Sequence, residues 1–156
     1  MEAAPIWHLG EARTRGPEPG GVKSTSRVLV RNLRNHTVMA SHAEIAATHL
    51  RRFVGLMGRT RNWARSGNGL WIRPSVGVHT FGMLFPIDVI LLDQGLRAIH
   101  LQENLRPFRI SAIHREARSV LELPPFTISK TGTCVGDPIE ITFADGHEAS
   151  LQGMEV

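Results

Sequence analysis

Cysteine, tyrosine and long apolar runs are scarce in this chain of 156 residues. The single cysteine, Cys134, excludes an internal disulfide and a cysteine-rich zinc site, and it is predicted to be a small buried apolar residue. No apolar run reaches about 18 residues, so no transmembrane segment is predicted. The first residues lack the basic start and apolar core of a signal peptide, and the protein is therefore predicted to be cytoplasmic.

Basic charge is distributed unevenly along the chain. Residues 27–73 contain nine arginines and one acidic residue, Glu44, whereas residues 74–156 contain ten acidic and six basic residues. This arginine-rich half raises the alternative that the protein binds nucleic acid or another anionic surface. There is no tyrosine, however, and the phenylalanines occur in apolar runs rather than between basic residues, so the stacking component of nucleic-acid binding is missing. A solvated arginine-rich face is the favoured interpretation.

Short apolar segments separated by turn residues predict a mainly β fold. The expected architecture is a small single-domain barrel or sandwich of short strands over residues 26–152, with one amphipathic helix packed against it. Residues 1–25, rich in glycine and proline, are predicted to be a flexible leader. Ser41 and Glu44 have the spacing of a capping box before apolar residues at helical spacing, which predicts the helix over residues 42–56. A final hairpin is predicted across Asp145-Gly146.

The most apolar stretch, residues 76–93, carries polar side chains within it. It predicts two strands joined or bent at Pro86, with His79, Phe81 and Met83 on one face of the first. The second strand is apolar on both faces, so it is predicted to be central in a sheet. Asp88 would then be partly buried and would need a partner. Asp88 either ties down a strand end or turn, which is favoured, or has a ligand-contacting or acid–base role. His79 is either a satisfied histidine of the core or its rim, which is favoured, or a ligand contact.

Glu122 lies between Leu121 and Leu123 on a further predicted strand, pointing away from both leucines. The favoured interpretation is an exposed glutamate on a half-buried strand, and the alternative pairs it with His79 or an arginine. No metal site is predicted, because the histidines lack ligand spacing. No cofactor is predicted either, because the chain has no phosphate-cradling loop and no dinucleotide fingerprint.

Several short motifs together resemble the domain-of-unknown-function family 192 (DUF192). The pieces, in order, are Arg52-Phe53-x-Gly55-Leu56-Met57-x-Arg59, Gly69-Leu70, His79-Thr80-Phe81-x-Met83-x-Phe85-Pro86-Ile87-Asp88-Val89, Leu92-Asp93, Leu105-x-Pro107, Ala117, Leu121-Glu122-Leu123-Pro124 and Gly136-Asp137. The resemblance covers roughly residues 27–143. It implies a compact, mainly β single domain with a short helix, of a kind found in bacteria and archaea, without an established activity. The chain departs from the usual family pattern at Gly82, where a bulky residue is common, at Leu84, which is often basic, and at Phe126, which is often glycine.

The resemblance and the polar residues together give three hypotheses. The first is a small non-catalytic binding or accessory domain for an unidentified small ligand or protein partner, with a polar site around His79, Asp88 and Glu122. Its candidate ligand contacts are Arg52, His79, Thr80, Met83, Asp88 and Glu122, of which all but Met83 match hallmark polar positions of the family. The second is a hydrolase-like enzyme that uses His79 with Asp88 or Glu122 as an acid–base pair. The third is attachment to nucleic acid or an anionic surface through residues 27–73.

Overall fold

The computed structural model describes residues 27–65 and 67–143. The leader predicted over residues 1–25 and the hairpin predicted across Asp145-Gly146 lie outside these ranges. The elements in chain order are β1 Arg27–Asn32, β2 Thr37–Ala46, α1 His49–Val54, a 3₁₀ turn Arg61–Ala64, β3 Asn68–Ile72, β4 Ile87–Leu92, β5 Ala98–Leu105, β6 Ser119–Leu123, α2 Thr127–Thr131 and β7 Ile139–Phe143. The prediction of a mainly β fold is confirmed.

The strands form one curled sheet in the order β5-β4-β6-β3-β2-β1-β7. All neighbouring pairs are antiparallel except β2 and β3, which run parallel. A parallel pair needs a crossover connection, and residues 47–67, which contain α1 and the 3₁₀ turn, provide it here. This crossover lies over one face of the sheet, because Leu56 and Trp63 within it join the apolar cluster of that face.

Both faces of the sheet are covered, and each has its own apolar cluster. One cluster contains Leu70, Val89 and Val120, and we call its side the crossover face. The other contains Trp71, Leu121, Leu123 and residues of β1 and β7. Strand β4 lies between β5 and β6, and all six of its residues are buried, so the prediction that it is central is confirmed.

The predicted helix over residues 42–56 is wrong in its first part, because β2 continues to Ala46. Ala43 and Ala46 are buried at the junction with β3, and a Cβ at Gly69 would lie 3.2 Å from the Ala43 Cβ, so small residues allow the two strands to approach closely. Pairing with both β1 and β3 therefore overrides the local helical spacing. Glu44 does not cap a helix and instead forms a bidentate ion pair with Arg59 at 3.0 and 2.7 Å. The actual cap of α1 is Thr48, whose side chain accepts a hydrogen bond from the Arg51 N–H.

The first of the two strands predicted in residues 76–93 is also absent from the described residues. His79 makes a single isolated bridge to Ile110, and β4 begins only at Ile87. The chain makes a turn between His79 and Ile87. In this turn the Met83 N–H donates to the Thr80 carbonyl, and Gly82 has a φ of +74. This turn breaks the predicted alternation, since Phe81 is exposed while Met83 is buried.

Candidate functional site

A cavity of about 310 Å³ opens on the crossover face and is called here the Glu122 cavity. The crossover provides one wall from residues 52–57, the loop after β3 provides a second from residues 74–79, and Glu122 of β6 contributes from the sheet. Three predicted site residues, Arg52, His79 and Glu122, therefore line one cavity. A volume of this size lies at the lower end of the range for small-molecule sites.

Glu122 is the polar exception in an apolar row of the sheet. It pairs with Leu70 of β3 on one side and with Val89 of β4 on the other, and directly paired residues share a face. Its side chain is 2% exposed, and within the described residues its Oε2 atom has no hydrogen-bond partner. Burial disfavours the charged form and raises the pKa of Glu122 to about 8, so the carboxyl group is largely neutral at pH 7. The favoured prediction that Glu122 is exposed is wrong, because the second face of β6 is covered as well.

His79 lies on the loop wall of the Glu122 cavity and is half-buried. Its ring contacts Phe53 edge-on, with 6.0 Å between ring centroids, and stacks on Phe81 at 5.3 Å. The Nδ1 atom is buried and has no partner among the described residues. His79, which lines the cavity, thus carries a second buried polar atom whose hydrogen-bonding capacity is unused within the described residues.

Arg52 projects from α1 and lines the same cavity. Its guanidinium donates to the Arg73 carbonyl at 3.3 Å and contacts His49 Nδ1 at 2.7 Å. Within residues 27–65 and 67–143 it forms no ion pair with a carboxylate, in contrast to Arg31, Arg34 and Arg59.

Gly55 lies in the cavity wall, and Gly82 lies behind it against the lining residue Met57. Gly55 follows α1 at φ +47, and a Cβ placed on it would lie 3.9 Å from the Glu122 Oε2 atom. The backbone after α1 therefore runs close to the buried carboxyl group in a conformation that favours glycine. A Cβ at Gly82 would lie 3.1 Å from the Met57 Cε atom, so the departure from the family pattern at this position makes room for Met57.

Asp88 belongs to the opposite side of the sheet. It pairs with Leu123, which lies in the cluster away from the crossover, so its carboxylate and that of Glu122 point to opposite faces. Asp88 accepts backbone N–H groups from Asn104, Phe126 and Ile128 at 2.8–3.0 Å. Burial raises the pKa of Asp88, and these three hydrogen bonds to the charged form oppose the rise. Asp88 therefore fastens β5 and α2 to β4 and does not line the Glu122 cavity.

The position of Phe126 follows from this anchoring. Its backbone is left-handed at φ +65, where it precedes α2 and donates to Asp88 Oδ1. Glycine, the residue implied at this position by the family resemblance, adopts that conformation without strain.

Thr80 and Met83 are likewise built into the fold. The Thr80 hydroxyl donates to the Arg106 carbonyl at 2.7 Å and accepts from the Arg109 N–H at 2.9 Å. Met83 is buried in the apolar cluster of the crossover face. Neither residue lines the Glu122 cavity.

Apart from Ser75, the cavity residues that sequence analysis missed are apolar or glycine. Phe53 and Val54 are two of the apolar residues whose helical spacing predicts a packed helix over residues 42–56, yet they are 69% and 41% exposed at the cavity mouth. Helix α1 has no buried residue at all. Nothing in the spacing of apolar residues distinguishes a helix that faces a core from one that faces a cavity.

A second cavity of about 360 Å³ lies between β2 and α2. Its lining includes Met39, Pro124, Thr127 and Lys130. None of the buried polar atoms that lack a partner in the described residues belongs to that lining. The Glu122 cavity is therefore the better candidate for a polar ligand.

The arginine-rich half does not form a single free basic face. Arg31, Arg34 and Arg59 are paired with Glu140, Asp137 and Glu44. Arg73 is buried, its guanidinium carbon lies 4.8 Å from the Trp71 ring centroid, and burial lowers its pKa. Two of these acidic partners, Glu140 and Asp137, come from residues 74–156, so the charge excess of residues 27–73 is partly neutralised by the second half of the chain.

Cys134 is exposed, so the prediction that it is buried is wrong. It sits in a loop whose turn is held by Asp137, which accepts from the Cys134 N–H at 2.8 Å and from Arg34 Nε at 2.6 Å. In the described ranges, no three His, Cys, Asp or Glu side chains are grouped to hold a metal ion. No helix there is long and apolar enough to cross a bilayer.

Two solved structures resemble this fold. A candidate transcription regulator from Sinorhizobium meliloti 1021 is 23% identical with a TM-score of 0.64, and the alignment covers 78% of this chain and 98% of that one. A protein of unknown function from Novosphingobium aromaticivorans DSM 12444 is 21% identical with a TM-score of 0.62, covering 86% of this chain and 99% of that one. At these identities the likeness concerns the fold alone.

The sequence comparisons give one further result. No curated protein matches this chain. The sequence pattern of the DUF192 family, described as uncharacterized ACR, matches residues 30–141, which is more than half of the chain. This chain therefore belongs to the DUF192 family.

Proposed function

We propose that this protein is a non-catalytic binding domain and that the Glu122 cavity is its site for a small molecule. The observation that carries the proposal is a fully buried carboxyl group on the cavity wall whose Oε2 atom has no partner in the described residues. A buried polar atom without a partner costs about 1–3 kcal/mol of stability. The neighbouring positions in its row are Leu70 and Val89, so an apolar residue would suit the sheet better. A ligand that hydrogen-bonds to the Oε2 atom of Glu122 would supply the missing partner and would account for a carboxyl group at this position.

The exposed apolar side chains at the cavity mouth support the same function. Phe53 and Val54 of α1 line the cavity but are not packed into the core. Exposed apolar groups next to a concave polar site are typical of a surface that a bound molecule covers. The expected ligand therefore has a polar group that reaches Glu122 or His79 and an apolar part that contacts the mouth.

The acid–base alternative receives less support from the geometry. His79 and Asp88 cannot act as a pair across the sheet, since Asp88 is committed to backbone N–H groups on the opposite face. His79 and Glu122 share the cavity, but the Nδ1 and Oε2 atoms are both without partners in the described residues and so are not bonded to each other. A catalytic pair needs its members within hydrogen-bond reach of each other or of a shared reacting group. The binding role requires only that both atoms face a ligand.

Titration with the neutral fluorophore N-phenyl-1-naphthylamine tests the proposal. We expect saturable binding at a ratio of one to one, and we expect Val54→Trp to abolish it by filling the mouth. Leu50→Trp is the matched control, because Leu50 lies on the same helix and is exposed but does not line the cavity. Thermal unfolding of each variant verifies that it is folded. Binding that never saturates, or that is equally strong in both tryptophan variants, would place the fluorophore elsewhere and contradict the proposal.

A further inference from the structure

We infer that the molecule bound in the Glu122 cavity is an organic monocarboxylate with an apolar body, whose head contacts Arg52 and Glu122 and whose body contacts Phe53 and Val54. This inference rests on the binding function proposed above and specifies the class of ligand. It is carried by the charges that line the cavity and by their hydrogen-bond partners.

The positive charge of Arg52 is the first observation. Of its five N–H donors, two have partners in the described residues, the Arg73 carbonyl and His49 Nδ1, and neither partner is an anion. Arg31, Arg34 and Arg59 each meet a carboxylate, so the cavity arginine differs from them in lacking one within the described ranges. A guanidinium with unused donors matches the two oxygens of a carboxylate.

The protonation state of Glu122 is the second observation. Because it is largely neutral at pH 7, it carries a hydrogen that it can donate to an anionic head. A neutral acid also leaves the positive charge of Arg52 without a carboxylate to balance it in the described cavity lining, and this charge attracts an anion and repels an ammonium group. One guanidinium and one protonated carboxyl group complement a single negative charge.

The surroundings of Glu122 determine how pH acts on this site. Its neighbours on β3 and β4 are Leu70 and Val89, and the charged or titratable groups that share the cavity with it are Arg52 from α1 and His79 from the loop. Above pH 8 Glu122 ionises, loses its donor hydrogen and repels a carboxylate. Affinity for a carboxylate therefore falls as pH rises above 8, whereas affinity for an amine would rise.

Three compounds with the same apolar body test the class of ligand. 3-Phenylpropanoate, 3-phenylpropanamide and 3-phenylpropylamine differ only in their polar heads. The affinity of each compound for the wild-type protein is measured at pH 7 from its competition with the fluorophore. Because the anionic head alone forms charge-assisted hydrogen bonds with Arg52, we expect 3-phenylpropanoate to bind at least about tenfold more tightly than either analogue. Equal affinities, or tighter binding of the amine, would overturn the inference.

Variants locate the head group. Arg52→Met keeps the apolar stem of the side chain and should lower the affinity for 3-phenylpropanoate at least about tenfold, and by more than it lowers the affinity for the amide, which loses only a neutral hydrogen bond. Arg61→Met removes the same charge from an exposed position outside the cavity and should leave both affinities unchanged. Glu122→Gln keeps a neutral donor and should remove the weakening between pH 8 and 9. An unaltered carboxylate affinity in Arg52→Met would contradict the inference.

The binding function of the Glu122 cavity and the carboxylate class of its ligand are contradicted by different results. If the fluorophore binds at the Val54 mouth but the three heads are not distinguished, the cavity binds small molecules and the carboxylate inference is wrong. If the fluorophore does not bind there at all, the proposed function is wrong and the inference falls with it.

Discussion

Raising the pH from 5 to 9 should destabilise the folded protein through Glu122. Burial raises the pKa of Glu122 from 4.5 to about 8. Between these values the unfolded chain releases a proton that the folded chain retains, so the free energy of unfolding falls with pH. Each pH unit in this window corresponds to about 1.4 kcal/mol. The loss is about 3 kcal/mol at pH 7 and about 5 kcal/mol once the pH exceeds 8.

Urea unfolding of wild type and Glu122→Gln at pH 5, 7 and 9 isolates this effect. Glutamine does not titrate, so the stability difference between the two proteins should shift by about 4 kcal/mol from pH 5 to pH 9 in favour of the variant. Asp88, whose pKa is also raised by burial, is present in both proteins and cancels in the difference. Glu116→Gln, at an exposed position, serves as the control. A shift below about 1 kcal/mol would mean that Glu122 is charged in the folded state and would refute the reasoning.

Two further predictions concern residues outside the Glu122 cavity. Asp88→Asn removes one of the two oxygens that accept the Asn104, Phe126 and Ile128 N–H groups, so we expect it to lower the free energy of unfolding in urea by about 3 kcal/mol. Fluorophore binding by the folded variant should be unchanged. Loss of binding in a folded Asp88→Asn protein would link this residue to the cavity. Cys134 is exposed, so its thiol should react fully with Ellman's reagent without denaturant, and a requirement for denaturant would contradict its placement.

The sequence was informative about strands and less so about their pairing. Local spacing placed β4 at the centre because both of its faces are apolar, and the fold agrees. The same local reasoning assigned residues 42–46 to a helix, because alanine fits either structure and the parallel pairing with β3 joins residues far apart in the sequence. Long-range pairing therefore decided a segment whose own pattern was ambiguous.

The candidate site shows a similar division. The alternation in β6 correctly placed Leu121 and Leu123 on the face opposite Glu122. What alternation cannot reveal is whether the other face meets water, and here the crossover covers it. The three backbone hydrogen bonds of Asp88 agree with the anchoring role favoured from the sequence. Its separation from Glu122 by the thickness of the sheet follows from the strand register, which no local pattern contains.

The parallel pairing of β2 with β3 has a consequence for how this site could diversify. Two parallel strands cannot be joined by a tight hairpin, so a long connection must cross the sheet between β2 and β3. This connection forms one wall of the Glu122 cavity. Its residues 47–65 belong to none of the seven strands, whereas the Gly67 carbonyl at its end accepts a hydrogen bond from the His42 N–H of β2. Insertions or deletions in residues 47–65 would change the size of the Glu122 cavity without removing a residue from any strand. Relatives with the same fold are therefore expected to accept ligands of different sizes.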